Sequence, residues 1–253
     1  MQRYFVPEAQ MLERSVTLEG DDARHAAAVM RAKPGDRFIA CNGSGRDVVA
    51  RITSANKHQV EAEIVEELAG SAEMRWRIDV AQSLPKGDKL ETVIQKGTEA
   101  GAAAFVPFLS RRTVVQYDER KEEKRLDRWR KIAKEAAEQS HRSIVPRIEP
   151  VCSWKSLLRR FADYELTLLC YEEEGRTGVG LREALAGFKP GPDGASVLVV
   201  VGPEGGFAPE EAEAAIAAGA RPIGLGRRIL RTETAALYAL ACLAYESGEL
   251  GGN

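Results

Sequence analysis

A chain of 253 residues with 44% hydrophobic content is long enough for one large domain, or for a small domain joined to a medium one, and needs no staples to fold. Its 36 Lys and Arg against 38 Asp and Glu leave a formal net charge of −2, so overall charge decides nothing about a nucleic-acid partner and a basic surface must be sought locally. Cys41, Cys152, Cys170 and Cys242 are scattered, with no Cys-x-x-Cys pair and no histidine at ligand spacing, which excludes a zinc motif and a disulfide framework and predicts buried free thiols and no metal.

The first residues lack an apolar signal core, and the longest apolar stretch, residues 235–245, is too short to span a bilayer. The expectation is a cytoplasmic protein without a membrane partner. Residues 1–70 read as a small β-rich unit, with strands over 3–6, 36–41, 46–52 and 60–65 where apolar residues alternate or cluster. An alanine-rich helix over 23–31, capped by Asp21 or Asp22 and stopped by Lys33-Pro34-Gly35, interrupts them. Asn42-Gly43-Ser44-Gly45 reads as a hairpin turn. After Gly70-Ser71-Ala72-Glu73 the rhythm lengthens to alternating strands and helices, the pattern of an α/β domain with a mainly parallel sheet, so the second domain is set at 74–253. Its expected strands are 78–84, 104–108, 166–171, 196–201 and 222–225, and its expected helices 89–100, 119–139, 153–161, 209–218 and 234–246. Residues 197–201 are apolar throughout, as a central strand covered on both faces should be.

Directly after that strand comes Gly202-Pro203-Glu204-Gly205-Gly206-Phe207, followed by a helix opened by Pro209 and closed by Gly219. Glycines at the carboxyl edge of a parallel sheet let the backbone approach a ligand closely, although a tight strand-to-helix turn would use the same residues. The spacing is neither that of a P-loop nor that of a dinucleotide site. Glu204, Glu210, Glu211 and Glu213 disfavour a phosphate and suit a neutral or cationic ligand. A second stretch, residues 224–235, runs from a short strand into a very apolar helix that Thr232 or Thr234 can cap, with Glu233 near its positive end. Arg227, Arg228 and Arg231 crowd the loop before it.

Together these stretches, Gly202-Pro203-Glu204-Gly205-Gly206 and Leu225-Gly226-x-x-Ile229-Leu230-Arg231-Thr232-Glu233-Thr234-Ala235, resemble the cofactor signature of SPOUT-class RNA methyltransferases, specifically the RsmE family. Residues 95–101, Pro107, Arg111 and residues 138–146 also look like that family, and the N-terminal unit is similar to its PUA-like β-barrel. The resemblance implies a C-terminal trefoil knot, a homodimer, and transfer of a methyl group from S-adenosylmethionine to uridine N3 in small-subunit (16S) ribosomal RNA. It implies cofactor contacts at Gly202, Glu204, Gly206, Leu225, Gly226, Ile229 and Leu230, walled by Leu169 and Cys170; Gly205 and Thr234 join that set. Arg231 is the candidate for stabilising the transition state, with Glu233 the nearest carboxylate to take a proton. A SPOUT enzyme with another RNA target, or a non-catalytic RNA-binding or ribosome assembly factor, would carry some of the same features.

For RNA, residues 24–57 hold seven basic residues against two acidic ones, and residues 111–147 hold twelve against seven. Arg3, Arg24, Arg31 and Lys33 in the first domain, and Arg111, Arg112, His141 and Arg142 flanking the mixed-charge helix, are the expected contacts.

Overall fold

In the computed structural model, which describes residues 1–69, 72–115, 119–173 and 179–251, the chain divides into two units. One is Met1–Glu73 with Lys134–Val145, the other Met74–Ala133 with Pro146–Asn253. Gly70 and Ser71, where the rhythm of the sequence changes, lie outside the described residues.

The first unit is a five-stranded sheet in the order β1-β3-β4-β5-β2, formed by Arg3–Phe5, Arg37–Cys41, Asp47–Ala55, Gln59–Leu68 and Ser15–Glu19. Tyr4, Leu18, Phe38, Val48, Ile52 and Val60 point inward to one core. The hairpin forms as expected: Asn42 Oδ1 accepts the N–H groups of Ser44 and Arg46, and Gly43 and Gly45 supply the positive φ. Strand β2 escapes a sequence reading because only Val16 and Leu18 mark its buried face. The helix expected over 23–31 is corrected. α1 is Gly20–Arg24, a π-helical turn His25–Val29 follows, and Arg31 closes it at φ +54°. Neither aspartate caps it, because the helix begins at Gly20 with Glu19 at the N-cap and both lie within its first turn, where Asp21 pairs with Arg24 and Asp22 with Lys134.

The second unit is built on parallel strands in the order β12-β10-β11-β6-β7-β8, with β9 beside β7. These are Arg221–Ile223, Leu166–Cys170, Ser196–Val201, Arg77–Ser83, Ala104–Leu109, Arg147–Ile148 and Cys152–Ser153. The wholly apolar β11 sits between β10 and β6, where both of its faces are covered. Helices α2 (Lys89–Glu99), α3 (Glu122–Gln139), α4 (Trp154–Arg160), α5 (Leu181–Leu185), α6 (Pro209–Ala217) and α7 (Thr232–Glu246) alternate with the strands, although the last turns of α3 belong to the first unit. The two-residue strands β8 and β9 and the five-residue α5 are too short for periodicity to reveal. Among the described residues no helix is long and apolar enough to cross a membrane. All four cysteines are free, but only Cys41 is buried; the other three are half-buried, which corrects that expectation.

Candidate functional site

Parallel register sets the ends of four strands side by side: Gln82 lies opposite Val201, Val201 opposite Cys170, and Cys170 opposite Ile223. The loops that leave this carboxyl edge line a cavity of about 650 Å³. Cys170, Gly202, Glu204, Gly205, Gly206, Leu225, Gly226, Ile229, Leu230 and Arg231 all line it. Three expected residues do not. Leu169 is fully buried in the core, because strand alternation turns it the other way from Cys170. On α7, Thr232 and Ala235 share the cavity face at i,i+3 spacing, which leaves Glu233 and Thr234 off it. Neither threonine caps that helix; its N-cap is Arg231, with no side-chain cap.

The glycine loop is held by the protein on several sides. The Gly202 carbonyl accepts from Thr232 Oγ1 at 2.6 Å, the Pro203 carbonyl from the Gly206 N–H, and the Gly205 carbonyl from Arg112 at 2.8 Å. Beyond the loop, Glu211 reaches back to the Ala208 N–H at the start of α6 and also accepts the Arg111 N–H. The turn that carries Arg111 and Arg112 is fixed by three hydroxyls, of Ser83, Ser110 and Thr113, within 3.1 Å of one another.

Residues 225–230 differ. Among the described residues, no hydrogen bond engages their backbone N–H or C=O groups, although the segment lines the cavity. Such groups take a partner from water or from a ligand, so this segment offers a run of unpaired donors and acceptors to whatever fills the cavity. Gly226, at φ +93°, sets its course.

Charge at the rim centres on Lys89, a residue the sequence reading did not single out. Its ammonium lies 2.7 Å from Glu204 and 3.9 Å from Glu233. Burial raises the Glu204 carboxyl, but hydrogen bonds from Lys89, from its own backbone and from the Lys86 N–H lower it further, so it stays below the usual carboxylate range. Glu210, Glu211 and Glu213 do not line the cavity, so the acidic cluster of the sequence is dispersed. Arg231 is exposed, lines the cavity and makes no ion pair among the described residues; the nearby carboxylates Glu204 and Glu233 both turn to Lys89. Burial pushes the Cys170 thiol up to about 12, which favours the neutral form.

The expected RNA contacts separate into two groups. Arg3 and Arg142 are corrected: both are buried, Arg3 against Asp47 at 2.7 Å and Arg142 against Glu73, and a guanidinium taken out of water needs such a partner. Arg24 is exposed but paired with Asp21. His141 is exposed at φ +59°, and burial, then Arg3 and the N-terminal amine, hold its pKa below the usual histidine value. Arg111 forms an exposed pair with Glu210 at 3.2 Å, and Arg112 rests on the glycine loop. Arg31 and Lys33 are exposed, and no ion pair engages either among the described residues.

Residues 72–244 match the model of an RNA methyltransferase domain, and residues 18–65 that of an RNA methyltransferase PUA domain. The chain is 42% identical to the ribosomal RNA small subunit methyltransferase E of Bacillus subtilis, with 100% of each chain covered. It is 34% identical to the protein of that name from Mycobacterium tuberculosis, over 89% of this chain and 84% of the other. Among solved structures, the ribosomal RNA small subunit methyltransferase E of Neisseria gonorrhoeae bound to S-adenosyl methionine superposes with a TM-score of 0.85 at 31% identity, covering 97% and 98% of the two chains. A methyltransferase from Legionella pneumophila, in complex with the same cofactor, gives 0.85 at 29% identity over 96% and 97%.

Proposed function

We propose, on the premise that this chain belongs to the RNA methyltransferase family of the ribosomal RNA small subunit methyltransferases E, that it moves a methyl group from S-adenosylmethionine to uridine N3 in 16S ribosomal RNA. The observation that carries this reading is the cavity at the carboxyl edge, where a tied glycine loop faces the unpaired backbone of residues 225–230. A cofactor with an adenine edge and polar sugar hydroxyls suits unpaired amides and carbonyls, so the residues present fit it. Bound there, S-adenosylmethionine supplies an electrophilic methyl group on a sulfonium.

Uridine N3 is a poor nucleophile until its proton leaves. As it leaves, negative charge spreads onto O2 and O4, and a cation aimed at them stabilises the transition state more than the ground state. Arg231 suits that role because it is exposed at the cavity without an ion pair among the described residues. Arginine stays protonated and is no base. Glu233 is held off the cavity, beside Lys89, so water takes the proton in this reading.

In the first unit, Arg31 and Lys33 offer exposed charge to RNA phosphates. Two further features belong to the same reading: a trefoil knot around the C-terminal helix, and a homodimer supported by the exposed Tyr238 and Tyr245 on α7. The protein works in the cytoplasm, on ribosomal RNA or on the small subunit. The test is to incubate it with methyl-labelled cofactor and either naked rRNA or small subunits from cells lacking the activity, then to identify the nucleoside by mass. Label at 3-methyluridine is the expected result; label on another base or on ribose overturns the N3 assignment, and no label overturns the enzymatic reading.

A further inference from the structure

Three groups from distant parts of the chain meet beneath the glycine loop. Thr232, the first residue of α7 and 7% exposed, donates from Oγ1 to the Gly202 carbonyl. Gln82, near the end of β6 and fully buried, donates from Nε2 to Thr232 Oγ1 at 2.8 Å and makes a longer contact of 3.4 Å to the same carbonyl. A hydroxyl carries one proton. With that proton directed at Gly202, the Thr232 oxygen can only accept, so Gln82 must present its N–H₂ side. That orientation leaves Gln82 Oε1 buried without a hydrogen-bond partner.

An orphaned buried acceptor costs stability, and an apolar side chain on β6 would avoid the cost. The arrangement therefore weakens the core locally while fixing one carbonyl of the loop. We infer that Gln82 and Thr232 are positioning residues, which hold the Gly202 carbonyl and thereby the path of the glycine loop that receives S-adenosylmethionine. Thr232 Oγ1 is the main donor to that carbonyl, because the two Gln82 N–H groups have nearer acceptors in Thr232 Oγ1 at 2.8 Å and the Ser83 carbonyl at 3.0 Å. The same hydroxyl ties the loop to the start of α7, directly after Arg231, so loop and cation keep one geometry. This inference rests on the proposed cofactor site.

The test is calorimetric titration with S-adenosylmethionine of wild type, Thr232→Val, Thr232→Ser, Gln82→Met and the Thr232→Val/Gln82→Met double variant, each with its melting temperature. Thr232→Val is expected to weaken binding about tenfold, the worth of one buried hydrogen bond, and Thr232→Ser to restore it. The double variant should bind no more weakly than the worse single one, because both changes break one chain of bonds. Losses that multiply, or a serine variant no better than valine, overturn the inference by making each residue an independent core contact. Should Thr232→Val not fold, Gln82→Met decides: weaker binding supports the inference and unchanged binding overturns it. Wild type that fails to bind overturns the cofactor reading along with this one, whereas binding wild type with an unaffected Thr232→Val overturns this one alone.

Discussion

The two loops that face each other across the cavity are built on opposite plans. In the glycine loop, the carbonyls of Gly202, Pro203 and Gly205 are all occupied by groups of the protein, and the loop is tied to β6, to α7 and to the turn at Arg112. In residues 225–230 no hydrogen bond within the described residues holds the backbone. The first loop is a wall whose shape is set before a ligand arrives. The second is an edge that keeps its polar groups for the ligand. A site divided this way can hold a cofactor closely on one side and read it by hydrogen bonds on the other, with ordering cost confined to one segment.

The largest effect should come from crowding the wall. A Cβ at Gly202 would stand 3.1 Å from the Phe207 ring and 3.4 Å from the Gly206 backbone, so Gly202→Val must push the loop apart. Cofactor affinity should fall about a hundredfold, and the melting temperature should drop as well, on the scale of overpacking a buried site. Calorimetry and thermal unfolding measure the two. Unchanged affinity would show that the loop is not part of the cofactor site.

Next in size is Arg231→Ala, at the end of the unpaired edge. The methylation rate should fall by roughly a hundredfold, the scale of losing one preorganised electrostatic group, while cofactor affinity changes little. Single-turnover rates beside calorimetric affinity separate these, and a loss explained wholly by weaker binding would make Arg231 structural.

The smallest effect, and the one that sharpens the contrast, is Gly226→Ala. No atom lies within 4 Å of a Cβ there, so the cost is the left-handed backbone alone, about 1–2 kcal/mol. Affinity should fall about tenfold. A loss as large as that of Gly202→Val would mean that the two loops are equally rigid.

Much of the fold was legible in the sequence because period and composition carry it: β11 is apolar at every position, the 42–45 turn carries its own side-chain acceptor, and glycines punctuate the sheet edge. The two loops that make the cavity could also be named from their glycines and arginines. What the sequence could not decide was who pairs with whom. Arg3 and Arg142 read as cations for RNA and are buried against Asp47 and Glu73, partners 44 and 69 residues away. Lys89 read as an ordinary first residue of a helix and sits between Glu204 and Glu233. Thr232 read as a cap and instead holds Gly202, with Gln82, 150 residues distant, behind it. Period and turn chemistry are local, so the chain states them by itself; a hydrogen bond or ion pair depends on which side chains the sheet register brings within about 3 Å, and only the tertiary structure sets that.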